Sequence, residues 1–122
     1  IPSGKIYNRP VLSTDIFATI LSAAKVPKPK DRWECYDLVP YLNGKYNEDP
    51  HEFLYWKQSH KAAFRIGDMK IVRQSPKKWE LYDLAADPSE SNNLINDEPE
   101  RFKSLLEGWE KIDSGIVKHL FK

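Results

Sequence analysis

The feature that most constrains this chain is a change of hydrophobic period after Leu94. Before it, short apolar or alternating stretches are each closed by a turn signal. Phe53-Leu54-Tyr55-Trp56 is an apolar and aromatic run, Lys61 to Ile66 a second candidate strand, Met69 to Arg73 a third and Trp79 to Leu84 a fourth. Aromatic and β-branched side chains suit a pleated, half-buried surface. Gly67-Asp68 is a Gly-X turn signal that suits a tight hairpin, and Ser75 to Lys78 marks the next turn. After Leu94 the period lengthens, and Phe102, Leu105, Leu106, Trp109 and Ile112 fall on one helical stripe. Asp97 reads as the N-cap, with Glu100 completing a capping box. Pro99 is tolerable in a first turn, whose N–H groups lack intrahelical partners. Ser114-Gly115 breaks the stripe, and Ile116 to Phe121 is a tail or a last turn. The stripe has to be covered, and the sheet is the one element large enough. The pattern therefore predicts an α+β fold: a small antiparallel sheet of about four strands packed against a C-terminal helix.

The N-terminal third has a different grammar. Pro2 and Pro10 bar regular helix, so residues 1–12 are expected to be extended. Ser13 reads as an N-cap, followed by Ile16, Phe17, Ile20, Leu21 and Ala24 at helical spacing. This N-terminal helix should stop near Lys25, because Pro27 and Pro29 cannot continue it. A Lys- and Pro-rich loop follows from Val26 to Arg32, and Asp37 to Gly44 reads as one helical turn ended by Asn-Gly. The expected organisation is a single subdomain, with a helix and linker over 1–48 and the sheet plus C-terminal helix over 49–122.

Charge narrows the function classes. Nineteen basic residues stand against 18 acidic, for a net charge of +1. Such a balance gives no long-range pull toward nucleic acid or an anionic membrane. No apolar run is long enough to span a bilayer. Ile1 to Lys5 does not read as a signal peptide, so the chain is expected to be a trimmed product or to begin inside a longer one. Cys35 has acidic and aromatic neighbours and reads as a small, partly buried apolar residue, not a nucleophile. His51, His60 and His119 show no ligand spacing with other His, Cys, Asp or Glu, and His51 and Glu52 would point to opposite faces of a strand. Neither a catalytic nor a metal-ligating set is expected in this chain. The stretch Trp56-Lys57-Gln58-Ser59-His60-Lys61 does gather aromatic, cationic, amide and hydroxyl groups between two strands. It reads as a candidate substrate-binding loop for an anionic or sugar ligand, with Trp56, Lys57 and His60 as the contacts, beside the plainer reading of a polar hairpin loop. Tyr55, Trp56 and Trp79 are expected to be exposed aromatics.

Three stretches together resemble the C-terminal part of the sulfatase family. One is Leu81-Tyr82-Asp83-Leu84, then Asp87-Pro88, Glu90 and Asn93-Leu94, like the pattern LYDL-x2-DP-x-E-x2-NL. A second is Ala63 to Ile71, like the family's hairpin with R-x-G-D-x-K. The third is Ser13 to Ile20 followed by Asp37 to Gly44, like the helix D-[IL]-x-P-T-[IL] and the turn D-L-x-P-x-L-x-G, with Ala18 where the family usually has Pro. The resemblance covers roughly residues 5–112 and implies the non-catalytic C-terminal portion of a sulfuric ester hydrolase acting on sulfated carbohydrate or aryl sulfate. It implies a main domain elsewhere as the partner, holding calcium and a formylglycine made in a C/S-x-P-x-R segment. Cys35-Tyr36-Asp37-Leu38-Val39 does not match that segment. The parent is expected to be periplasmic, secreted or lysosomal. Ile16, Phe17, Ile20 and Leu21 are expected to form an apolar patch that the main domain covers, or through which the chain self-associates. The alternatives are a stand-alone carbohydrate- or protein-binding module, and a piece of a related phosphatase or phosphonate hydrolase.

Overall fold

The computed structural model describes residues 3–4, 6–27 and 35–116. Most of the Lys- and Pro-rich loop and the tail beyond Ile116 lie outside the described residues. The chain divides into two compact units, Ile1–His51 and Glu52–Lys122.

The second unit is the α+β body that the change of period predicts. Strands β1 (Leu54–Gln58), β2 (Lys61–Ile66), β3 (Met69–Ser75) and β4 (Lys78–Asp83) form an antiparallel meander in that order. Helix α3 (Pro99–Gly115) follows the sheet, whereas α1 (Ser13–Ala23) and α2 (Val39–Leu42) belong to the first unit. Tight two-residue turns set the register. Gly67 takes φ +57°, which costs nothing without a Cβ, and Ser59 takes φ +56° in the turn between Gln58 and Lys61.

Because side chains alternate across a strand, the sheet has two faces with different fates. Ala62, Phe64, Ile71 and Leu81 point toward α3 and bury against Leu105 and Trp109, with Phe102, Leu106 and Ile112 packed around them. Ile71 and Leu81 are fully buried, and side chains of this kind each stabilise the fold by roughly 1.5–3 kcal/mol. Helix and sheet approach closely at Gly108, where a built Cβ would sit 2.9 Å from the Phe64 ring. The opposite face carries a smaller cluster of Ala63, Val72 and Tyr82, with Leu84 against it.

Both boundaries of α3 differ from the expectation. Asp97 is not the N-cap and makes no capping box with Glu100; Glu98 holds that position and Pro99 opens the helix. The Leu94 carbonyl accepts from both Asp97 and Glu98, at 3.0 and 2.9 Å, so a preceding turn aims the chain without a side-chain cap. The helix also runs through Ser114-Gly115. Its last turn is pinned to β1, where Asp113 accepts from the Tyr55 hydroxyl at 2.6 Å and from Lys57.

The first unit is organised around a carboxylate. Leu12, not Ser13, is the N-cap of α1, because Asp15 in the first turn reaches back to the Leu12 N–H at 2.7 Å. The fully buried Asp15 also accepts from the Tyr36 N–H at 2.9 Å and from Nε2–H of His51 at 2.7 Å. A carboxylate is acceptor-only, so that ring nitrogen is the donor. Thr19 donates to the Asp15 carbonyl and accepts from Leu38, joining α1 to the start of α2. Helix α1 ends in a Schellman turn with Lys25 at φ +57°, and α2 ends in the same way at Gly44. Ile16, Phe17 and Ile20 are exposed at 58%, 41% and 60%, whereas Leu21 is partly buried.

Candidate functional site

The stretch from Trp56 to Lys61 is not a loop. Trp56, Lys57 and Gln58 belong to β1, and Ser59-His60 alone form the turn. Strand alternation therefore parts the three expected contact residues. Trp56 faces away from α3 and is 42% exposed on an edge strand. The Lys57 side chain leaves for the helix side, where it pairs with Asp113 and lies 5.6 Å from the Trp109 ring centroid. His60 stands at the turn with an exposed side chain, and its carbonyl accepts from Arg73 at 2.8 Å. Of the aromatics expected on the surface, Trp56 alone is there. Tyr55 stacks on Trp109 at 6.2 Å and Trp79 meets the same ring edge-on at 5.2 Å, both partly buried. The apolar stripe of α3 draws both rings inward.

Beside Trp56 the sheet holds a hollow of about 370 Å3. Its floor is the cross-strand row of Trp56, Ala63 and Val72, two of them small side chains that leave room above the sheet. Gln58 and Lys61, directly opposite each other, line one end together with Gln74. Arg73 pairs with Trp79 and Ser75 with Lys78, so Gln74 is the extra residue of a β-bulge. Bulges re-aim side chains and often sit beside sites. The lining includes Lys57, Lys61 and Arg73 and no carboxylate. Gln58 and Lys61 lie in the expected stretch without being among its expected contacts, and Gln74 lies outside it. A two-residue turn places Lys61 opposite Gln58, and period two places Gln58 on the face of Trp56, so that part was available in the pattern. The bulge that adds Gln74 carries no comparable signal.

The other concentration of polar groups is structural. Asp87 accepts from the N–H groups of Asn92 and Ser91, both at 2.7 Å, and from the hydroxyls of Ser89 and Ser91. The Asn92 N–H is the main cause that holds its carboxyl down to about 2, with the serine groups adding to it. Lys70 reaches Glu90 at 2.6 Å, and Asn93 accepts from the N–H groups of Leu81 and Ile95. Residues 87–93 thus tie the segment after β4 back to the sheet. At the far end of β1, burial opposes ionisation of Asp113, yet hydrogen bonds from Lys57 and Tyr55 keep its carboxyl below the ordinary range. Burial first, and the bond to Asp113 second, push the Tyr55 phenol upward. Among the described residues no group of three His, Cys, Asp or Glu is placed to hold a metal, and no helix is long and apolar enough to cross a membrane.

These ties are the ones made by the LYDL-x2-DP-x-E-x2-NL residues. The family model described as N-sulphoglucosamine sulphohydrolase, C-terminal, matches residues 1–112. The chain belongs to this sulfatase family. An uncharacterized sulfatase of Schizosaccharomyces pombe is 31% identical over 119 residues, covering 84% of this chain and 21% of the relative. Human steryl-sulfatase is 39% identical over 56 residues, 45% of this chain and 10% of its own length. Among solved structures, one described under metabolism of multiple glycosaminoglycans by Bacteroides thetaiotaomicron superposes with a TM-score of 0.64 at 27% identity, covering 82% of this chain and 24% of that one. Ps i-CgsB superposes with a TM-score of 0.74 over 91% of this chain and 26% of its own, and at 20% identity that likeness is one of fold. The chain thus spans between 10% and 26% of the length of these proteins. The family's formylglycine and calcium do not fit the residues described: Cys35 is buried in a non-matching segment, Asp15, Asp87 and Glu90 are committed to a cap, a turn and an ion pair, and no three His, Cys, Asp or Glu among the described residues are grouped to hold a metal.

Proposed function

We propose that this chain serves as the C-terminal, non-catalytic portion of a sulfuric ester hydrolase acting on sulfated carbohydrate or aryl sulfate. The observation that carries the reading is the family match over residues 1–112 in a chain spanning 21% of its S. pombe relative. Formylglycine and calcium belong, in this reading, to the preceding catalytic domain, and no step of the reaction is assigned to residues here. The glycosaminoglycan context of the Bacteroides structure supports a sulfated sugar as the substrate class.

The chain's own part is mechanical and topographic. The exposed Ile16, Phe17 and Ile20 of α1 offer apolar surface for the main domain, since contiguous patches of this kind are uncommon on free monomers. The face of the sheet that carries Trp56, with His60 at the adjoining turn, lines the mouth of the substrate pocket. Lys57, committed to Asp113, positions β1 within that face. The test is turnover of 4-nitrophenyl sulfate by the full-length parent and by the 122-residue chain. Hydrolysis by the parent alone is expected. A parent inactive on every sulfate ester, or a chain active by itself, would overturn the reading.

A further inference from the structure

The hollow beside Trp56 has a composition that selects for a ligand. Trp56 presents a flat apolar ring at 42% exposure, although an indole gains more from burial, as Trp109 does on the other face at 7%. Ala63 and Val72 keep the space next to that ring open, where larger side chains would fill it. The side chains of Gln58, Lys61 and Gln74 make no hydrogen bond or ion pair among the described residues, so their polar ends are free to bind. Each amide donates and accepts, which matches a sugar hydroxyl. Lys61 is a compact cation with three donors, suited to a sulfate or carboxylate oxygen. With no carboxylate in the lining, a cationic ligand has nothing to pair with. The volume of about 370 Å3 lies at the small end of ligand pockets, roughly 300–1,000 Å3, and admits one pyranose ring with a substituent.

We propose that this hollow is a saccharide subsite for one anionic sugar residue, its C–H face on Trp56, its hydroxyls at Gln58 and Gln74, and its sulfate or carboxylate at Lys61. The placement deepens the functional reading above and rests on it for the origin of the sugar, while the binding chemistry follows from the hollow itself. A longer glycan would then be held here by a residue next to the one being cleaved, and a small aryl sulfate would gain little.

The experiment labels the full-length parent with 5-fluorotryptophan, assigns the Trp56 resonance with Trp56→Phe, and titrates with glucose 6-sulfate, glucuronic acid, glucose and inorganic sulfate. Saturable shifts with at least one anionic sugar, and weaker ones with glucose, are expected. Trp56→Ala should weaken binding of that sugar roughly tenfold, and Lys61→Gln about fivefold with little change for glucose. An equal shift with inorganic sulfate would reduce the site to a bare anion contact and overturn the inference. So would no shift with either anionic sugar, or a Trp56 resonance shielded from a soluble paramagnetic probe, since the catalytic domain would then fill the hollow. Turnover of 4-nitrophenyl sulfate in the same preparation reports on the functional reading separately. An active parent with a silent Trp56 sinks the subsite alone, and a parent inactive on every sulfate ester with a responsive Trp56 sinks the hydrolase alone.

Discussion

The two units of this chain are held by opposite means. In Glu52–Lys122 the centre is apolar: Phe64, Ile71 and Leu81 of the sheet close against Leu105 and Trp109 of α3. In Ile1–His51 the centre is a buried carboxylate, with Asp15 accepting from Leu12, Tyr36 and His51. Apolar packing is non-directional and tolerates small adjustments of position. A buried carboxylate needs every donor in place, and loses more than a neutral bond when one is missing. The difference teaches that the sheet unit is a matter of volume, whereas the helical unit depends on a few directed bonds between segments far apart in sequence.

Breaking the apolar side of the comparison should cost most. Trp109→Ala is expected to lose about 3–5 kcal/mol, because it empties the centre of the α3–sheet contact and strips Tyr55 and Trp79 of their partner. Urea denaturation measures this, and a loss under about 1 kcal/mol would mean that the indole is not a core element. On the polar side, Asp15→Ala is expected to cost about 3 kcal/mol, leaving the Leu12 and Tyr36 N–H groups without an acceptor. Hydrogen exchange is the sharper readout. Amides of α1 should lose protection, and unchanged protection there would refute the hub. His51→Phe should show a weaker version of the same pattern.

A finer test asks how tightly the apolar unit is packed. Gly108→Ala adds a Cβ 2.9 Å from the Phe64 ring, in a helix that would otherwise gain from Ala. Overpacking of this kind costs about 1–3 kcal/mol against a propensity gain of about 1. A net loss of about 1 kcal/mol is expected, and a net gain would show that Phe64 yields freely.

The smallest effect is expected at Asp87, where acid provides the probe. Its carboxyl titrates at about 2 in the folded chain against an ordinary 3.8. The sign follows from the depressed value. The contribution of its bonds to Asn92 and the serines is present above pH 3.8 and is lost as the pH falls toward 2. A 13C titration of Asp87 should show the low midpoint, and Asp87→Asn should flatten the acid limb of the stability curve. An ordinary midpoint would remove Asp87 as the organiser of the turn.

How much could be read beforehand varied by element. The strands and α3 were legible because burial on one face imposes period two or 3.6 directly on the residue order. The caps were less so: Ser13 and Asp97 have the right chemistry for an N-cap, yet Asp15 and the Leu94 turn take over the two helix starts. For the candidate site, residue types were visible and their grouping was not. Trp56, Lys57 and His60 are neighbours in the chain, and a pleated strand sends the first two to opposite faces.

By itself the sequence pointed to the family, the α+β class, about four antiparallel strands with a tight turn at Gly67-Asp68, and the stripe that covers them. All of these depend on local spacing, which residue order records. Only the tertiary structure decided which polar groups meet. Asp15 and His51 are 36 residues apart, Tyr55 and Asp113 are 58 apart, and Gln74 joins Gln58 and Lys61 through a bulge. Pairings of that kind have no period. They arise because buried donors and acceptors must be satisfied by whatever the packed chain brings within reach.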